Sequence, residues 1–343
     1  IAAVFITHAH IDHTGRLPKL IKDGFRGTVY ATSATRDMAH LTLLDSEHVL
    51  SKDAERFGLP PIYEASDVDA LMSRWRGVRY HETISVGPFQ VTFFNAGHIL
   101  GSAFLLVEAG GKKVVFSGDL GNSPAPLIGP WELPSSADYA LIESTYGGRL
   151  HEALPERTEL LRMMIKETIA RRGALLIPAF ATERTQEILF EIHALMEAGK
   201  LEKIPVFLDS PLAIKMTDIY RKHSDYFTPE ALRRAPGEKH PLFEFPGLRK
   251  TLTTEESKSI NDVSGAKVII AGSGMSNGGR ILHHEKRYLS DPKSTLLIVG
   301  YQANGSLGRQ ILDGATVVRI LGDDVPVHAR VKAIGGYSAH ADQ

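Results

Sequence analysis

The segment Thr7-His8-Ala9-His10-Ile11-Asp12-His13 carries four metal-ligating side chains, His8, His10, Asp12 and His13, at a spacing of single residues. It follows an apolar run, Ile1 to Ile6, that reads as a buried strand. Ligands on a loop at a strand end can diverge towards two ions rather than one. Neutral imidazoles with a carboxylate suit zinc, and also manganese or iron. The chain has no cysteine, which excludes disulfides, thiolate metal sites and cysteine nucleophiles, so any metal site must be built from His, Asp and Glu. A lone histidine is most often a surface or satisfied core residue; this close set is not explained that way. Two further elements repeat the arrangement. Asn95-Ala96-Gly97-His98 follows a run ending at Phe94, and Ser117-Gly118-Asp119-Leu120-Gly121 follows a run ending at Phe116. Alone, His98 would be structural and Gly118-Asp119 a turn. Together they give strand then ligand three times over.

Two textures position these residues. Across roughly 1–148, short apolar runs alternate with glycine-containing turns: 89–94, 103–107, 113–116 and 139–142 read as strands, and 33–76 as helical and charged. Several clustered strands predict stacked sheets rather than a simple βαβ series. After about 148 the pattern becomes helix and buried strand in alternation. Helices are expected over 156–171 and 182–198, strands at 173–178, 204–208, 267–271 and 294–299, which is the rhythm of a parallel α/β module.

At 343 residues, 43% apolar and 23% charged, the composition is that of a globular protein. No run of about 18 apolar residues occurs, so no membrane-spanning helix is expected. The net charge of -1 mildly opposes a nucleic-acid substrate, although a metal site brings its own positive field. With no initiator Met before the first strand and nothing after the last His-rich motif, the chain reads as the middle of a longer protein. Cytoplasmic location is the default expectation.

The order HAHIDH, strand-end His98, then Ser117-Gly118-Asp119 resembles the metallo-β-lactamase superfamily. The continuation resembles its β-CASP nuclease branch, through Ile142-Glu143-Ser144-Thr145-Tyr146-Gly147, Val327-His328-Ala329 and Gly336-Tyr337-Ser338-Ala339-His340-Ala341-Asp342. Ile177-Pro178-Ala179-Phe180-Ala181 with Arg184-Thr185-Gln186-Glu187, and Gly272-Ser273-Gly274-Met275 with Gly278-Gly279-Arg280, are similar too. The resemblance implies an α/β protein: a metallo-β-lactamase αββα sandwich over 1–148, an inserted parallel α/β β-CASP domain over 149–326, and a return to the first domain over 327–343. An Asp-containing motif that the family carries ahead of HxHxDH is absent from the sequence.

Carried over residue by residue, the resemblance gives His8, His10 and His98 to one ion, Asp12, His13 and His340 to a second, and Asp119 as the bridge. Two Zn2+, with Mn2+ as the alternative, would sit about 3.5–4 Å apart and share an activated hydroxide. His328 is the expected general acid, its ring held by Glu143; Asp12 belongs to the same catalytic set. His at 340, where DNA-acting members carry Val, favours RNA. The implied reaction is hydrolysis of RNA phosphodiesters to 5′-phosphate and 3′-hydroxyl ends, by an RNA-binding ribonuclease without a membrane partner and with a homodimer left open. The alternatives are a superfamily hydrolase of another ester and a non-catalytic RNA-processing scaffold.

For substrate contact, the glycine-rich loop at Ser273, opening a helix at Arg280, offers amide donors to phosphate, and Arg184 and Arg280 are candidate phosphate contacts with salt bridges as the competing role. RNA is expected in a cleft between the domains. His283-His284, Arg221-Lys222-His223 and Arg233-Arg234 read as solvated surface, and Asp342 as an exposed or capping carboxylate.

Overall fold

Ahead of the first histidine cluster the chain enters a small parallel sheet: β1 (Ala3–Phe5) pairs with β2 (Thr28–Thr32), and β2 with β3 (Trp75–Val78). A second sheet is an antiparallel meander of β4 (Thr83–Val86), β5 (Phe89–Asn95), β6 (Ala103–Ala109) and β7 (Lys112–Phe116), closed by β8 (Tyr139–Leu141) parallel to β7. The two-residue turn between β6 and β7 is Gly110-Gly111, both at positive φ (57° and 73°), the backbone that a tight hairpin requires and that glycine adopts without strain. Ile84, Val91, Phe93, Ala103 and Leu105 point to the first sheet and form one core with Phe5, Tyr30 and Val78. Period-two burial on two facing sheets is the stacked arrangement that the strand spacing predicted.

Over 33–76 the helical expectation resolves into helices Ser33–Phe57 and Ala65–Ser73. Thr32 caps the first, its hydroxyl accepting from Thr35 N–H, and Gly58 in the left-handed region ends it. No described helix is long and apolar enough to cross a membrane.

This computed structural model describes residues 1–233 and 242–343. They divide by contact into one unit of Ile1–Gly148, Ile219–Thr228 and His340–Gln343, and a second of Arg149–Asp218 and Pro229–Ala339. The second unit is built on a six-stranded parallel sheet in the order β11 (Leu248–Lys250), β10 (Val206–Asp209), β12 (Lys267–Ala271), β9 (Ala174–Pro178), β13 (Thr295–Ile298), β16 (Arg330–Ala333). Every residue of β9 and β12 is buried, as a parallel sheet covered on both faces demands. Helices Leu154–Arg171, Arg184–Glu197 and Ile281–Tyr288 stand where helical periodicity was expected, within a few residues. A hairpin of β14 (Val317–Ile320) and β15 (Asp323–Pro326) precedes β16.

The return to the first domain comes later than the expected 327. Strand β16 pairs with β13, and Val325, Ala329 and Val331 pack into the second unit's core, so only His340–Gln343 rejoins the first unit.

Candidate metal centre

His8 follows β1 on a loop tied at both sides. Ile6 N–H donates to Tyr30 O (2.9 Å), and Ala103 N–H to Thr7 O (2.7 Å). The chain then turns into a short helix, Ile11–Thr14, whose Thr14 hydroxyl donates to His10 O (3.0 Å). His98 leaves the end of β5 through Asn95-Ala96-Gly97, and Ser102 Oγ accepts from His98 N–H at 2.9 Å. Asp119 leaves the end of β7. Its loop lies against the His98 loop, with Gly121 N–H donating to Ala96 O (2.8 Å). A Cβ at Gly121 would fall 1.7 Å from Gly97 O, so this approach is open only to glycine. The last ligand-type residue arrives by pairing: Gly121 bridges His340 antiparallel, and Ala341 N–H donates to Leu120 O (2.8 Å).

Asp119 is the hub. Its Oδ2 lies 3.3 Å from His8 Nε2, 3.5 Å from His98 Nε2 and 4.0 Å from His340 Nδ1, while Oδ1 lies 3.5 Å from His13 Nε2. His10 Nδ1 is 3.1 Å from His98 Nε2. One ligand atom from each of His8, His10, His98 and Asp119 falls within 4.8 Å of all the others, and the same holds for Asp119, Glu143 and His340. His8 supplies the test of whether these residues fit an ion. Its ring is fully buried, Thr7 Oγ1 meets Nδ1 at 3.1 Å, and Nε2 makes no hydrogen bond. A buried nitrogen left without a hydrogen bond carries a desolvation cost, and a lone pair aimed at a carboxylate and further imidazoles is what a cation needs. The donor set, nitrogen-rich with one shared carboxylate, fits divalent metal.

Protonation follows the same logic. Burial lowers the His8 pKa well below its usual value, with the neighbouring His10, His13 and His340 adding to the effect. Burial also lowers His10, to about 4, against the opposing pull of Asp12 and Asp119. Both rings are therefore neutral at pH 7, with lone pairs available. Burial pushes Glu143 upward, but hydrogen bonds from His340, the Thr145 side chain and the Leu120 amide hold it below the usual glutamate value.

The predicted ligands separate into two groups. His8, His10, His98 and Asp119 converge as expected, and His340 reaches them. Asp12 does not join: it sits in the first turn of the Ile11–Thr14 helix with its side chain 75% exposed, and its contact is His13 Nε2 at 3.6 Å. His13 lies beside Asp119, its ring tilted against that of His8 (centroids 4.1 Å apart). Glu143, not among the predicted ligands, offers a carboxylate oxygen within 4.8 Å of ligand atoms of Asp119 and His340. Its carboxylate faces His340 Nδ1 at 3.0 and 3.1 Å and accepts from Leu120 N–H at 2.7 Å. Within the second unit, the exposed His328 ring lies against Ser290 O (Nδ1, 3.3 Å). Thr7 and Ser102, which fix the ligand rings and loops, had no signal in the sequence beyond adjacency to the motifs.

The expected phosphate contacts are engaged elsewhere. Arg184 is buried and paired with Glu187 one helical turn on. Arg280 donates to Asp209 Oδ1 (2.7 Å), Thr251 O (2.9 Å) and Leu252 O (2.7 Å). Ser273 Oγ accepts from Asn277 N–H (3.0 Å), Ser273 N–H donates to Gly278 O (3.0 Å) and Ile281 N–H to Gly272 O (3.0 Å). The glycine-rich loop spends those amides on itself. His283 is exposed, but His284 is buried against Asp209 Oδ2 (2.7 Å), and His223 is buried against Asp37 Oδ2 (2.9 Å); both correct the expectation of solvated surface. Arg234 lies outside the described residues.

Facing sheets carrying a histidine–aspartate centre on their loops, in a chain that also builds a parallel α/β unit, define a metallohydrolase-type scaffold. A family profile described as a Beta-lactamase superfamily domain matches residues 1–170, and one described as a Beta-Casp domain matches residues 185–311. A ribonuclease of Thermus thermophilus is 40% identical over 343 residues, covering all of this chain and 77% of the relative. An RNase J-like protein of Methanocaldococcus jannaschii is 32% identical, covering all of this chain and 76% of that protein. The transcription termination factor FttA of Methanosarcina mazei is 33% identical, and the chain spans 55% of its length. The chain belongs to the β-CASP family of the metallo-β-lactamase superfamily.

Proposed function

We propose that this chain is a metal-dependent ribonuclease that hydrolyses RNA phosphodiester bonds, leaving 5′-phosphate and 3′-hydroxyl ends. The observation that carries the reading is Asp119, whose two carboxylate oxygens are faced by imidazoles from three separate segments of the chain. His8, His10 and His98 would hold one ion, His340 and His13 a second, and Asp119 would bridge them. Zinc suits this donor set best, with manganese second. Bound ions supply charge against the phosphate oxygens and make solvent more acidic.

The residues around them do the rest. Buried, neutral His8 and His10 need lose no proton to coordinate at pH 7. Glu143 faces His340 Nδ1 and would fix the ring's orientation, as carboxylates behind metal-ligating histidines do, leaving Nε2 as the nitrogen to hold the ion. The departing 3′-oxygen needs a proton. We assign it to exposed His328, imidazole being the side chain suited to proton transfer near neutral pH.

The test is incubation of 5′-labelled RNA with zinc- or manganese-loaded protein, with analysis of the product ends. Cleavage to 5′-phosphate ends that stops on chelation, with a loss of 10²-fold or more in His328→Ala, is the expected result. Failure of metal-loaded protein to cleave any RNA would contradict the reading. The FttA relatives favour a second one, a role in terminating transcription; metal binding without RNA cleavage would support it.

A further inference from the structure

At the carboxyl end of β9 an aromatic ring stands out of a loop that is otherwise tied down. Phe180 is 37% exposed, yet its loop is fixed by Ala179 N–H to Ala271 O (3.0 Å), Thr185 Oγ1–H to Phe180 O (2.8 Å) and Gln186 Nε2–H to Ala181 O (3.0 Å). The exposure is built in, not the product of a frayed segment. The ring rests on a floor of glycine from the loops after the two flanking strands. A Cβ at Gly274, after β12, would lie 2.7 Å from Phe180 Cδ2 and 2.8 Å from Cε2, and one at Gly300, after β13, would lie 3.7 Å from Cε2. Any larger residue at 274 would displace the ring. Tyr301, 45% exposed, follows Gly300 directly.

The place matters as much as the ring. Strand β9 is where the sheet's order turns, with β12, β10 and β11 on one side and β13 and β16 on the other. In open parallel sheets ligands bind outside the carboxyl ends of the strands at that switch point. One exposed aromatic ring is far short of the roughly 800 Å² that a stable protein interface covers on each partner. It matches the face of a single nucleobase, which stacks on aromatic rings without regard to sequence. Arg184 and Arg280, the nearby cations that could have held phosphate, are engaged by Glu187 and Asp209, so recognition here falls to stacking.

We propose that Phe180 is a stacking platform for a base of single-stranded RNA. The inference rests on the ribonuclease reading and adds a binding residue to it. The test is equilibrium binding, by fluorescence anisotropy, of a phosphorothioate single-stranded RNA and of the same strand carrying abasic positions. Wild type is compared with Phe180→Ala, Phe180→Leu and Phe180→Trp, the Leu variant keeping apolar volume on the glycine floor without a π-face. Phe180→Ala and Phe180→Leu are expected to weaken the intact RNA on the order of tenfold, to leave the abasic strand unchanged, and to leave the salt dependence unchanged because no phosphate contact is removed. Phe180→Trp retains binding. Phe180→Leu binding intact RNA like wild type, or losing both strands equally, overturns the platform. If wild type cleaves RNA and Phe180→Leu is unimpaired, only the platform falls; if wild type neither binds nor cleaves RNA, the ribonuclease reading falls with it.

Discussion

Asp119 shares its oxygens among His8, His98, His340 and His13, and in the two-ion centre proposed above the next residue to test is Glu143. A carboxylate behind a ligating imidazole fixes ring orientation and basicity, and its removal typically costs 10–100-fold in metal affinity. Glu143→Gln is therefore expected to weaken metal binding about 10–100-fold, read by competition with a chromophoric chelator. Asp12, three-quarters exposed, should be far less sensitive, and Asp12→Asn is expected to change affinity by less than about threefold. The reverse ranking would return Asp12 to the ligand set. The difference between these two carboxylates could not be read from sequence. Asp12 sits inside the most conspicuous motif, whereas Glu143 meets a histidine 197 positions away. Motif density marks ligand type, but only the pairing of Gly121 with His340 decides which carboxylate faces which ring.

Among the elements, helix Ile281–Tyr288 carries two buried polar groups that apolar periodicity did not reveal. His284 meets Asp209, which is held well below the usual carboxylate range: burial works upward, and hydrogen bonds from His284, Ser257, Thr251 and Arg280 outweigh it. Glu285 is the opposite case. Fully buried, with Oε1 bonded to Ser276 and Oε2 without a hydrogen bond, it is raised by burial to about 8. It is thus a neutral acid in the fold at pH 7. Its contribution to stability is full below its ordinary pKa of 4.5 and is lost as pH rises through about 8. Glu285→Gln should unfold with a flatter pH profile and be more stable than wild type at pH 9, by on the order of 1–3 kcal/mol. Parallel urea or thermal unfolding series at pH 5 and pH 9 measure this; identical profiles for the two proteins would contradict it. The elements themselves were legible because strand and helix periods are local: β9 and residues 268–271 of β12 are continuous apolar runs, and Leu161, Met164 and Ile165 mark one buried helix face. The polar ties between elements, such as Arg157 to Gly336 O at 2.7 Å, join residues with no shared local pattern.

Across the whole molecule, a net charge of -1 sits with a centre whose positive field would come from metal rather than from arginine. Arg157, Arg184 and Arg280 are all spent on carboxylates. Charge balance therefore carried little information about substrate, whereas the order of motifs identified both units of the chain. The late return at His340 was hidden because β16 completes a parallel sheet with β13, and an edge strand of mixed composition shows no sign of which sheet it joins. The claim beneath all of this is that Asp119 gathers the imidazoles into one two-ion centre. Elemental analysis of metal-reconstituted protein, wild type beside Asp119→Ala, tests it most directly. Two divalent ions per wild-type chain and fewer than one in the variant are predicted; one ion or none in wild type, or two retained without Asp119, would contradict it.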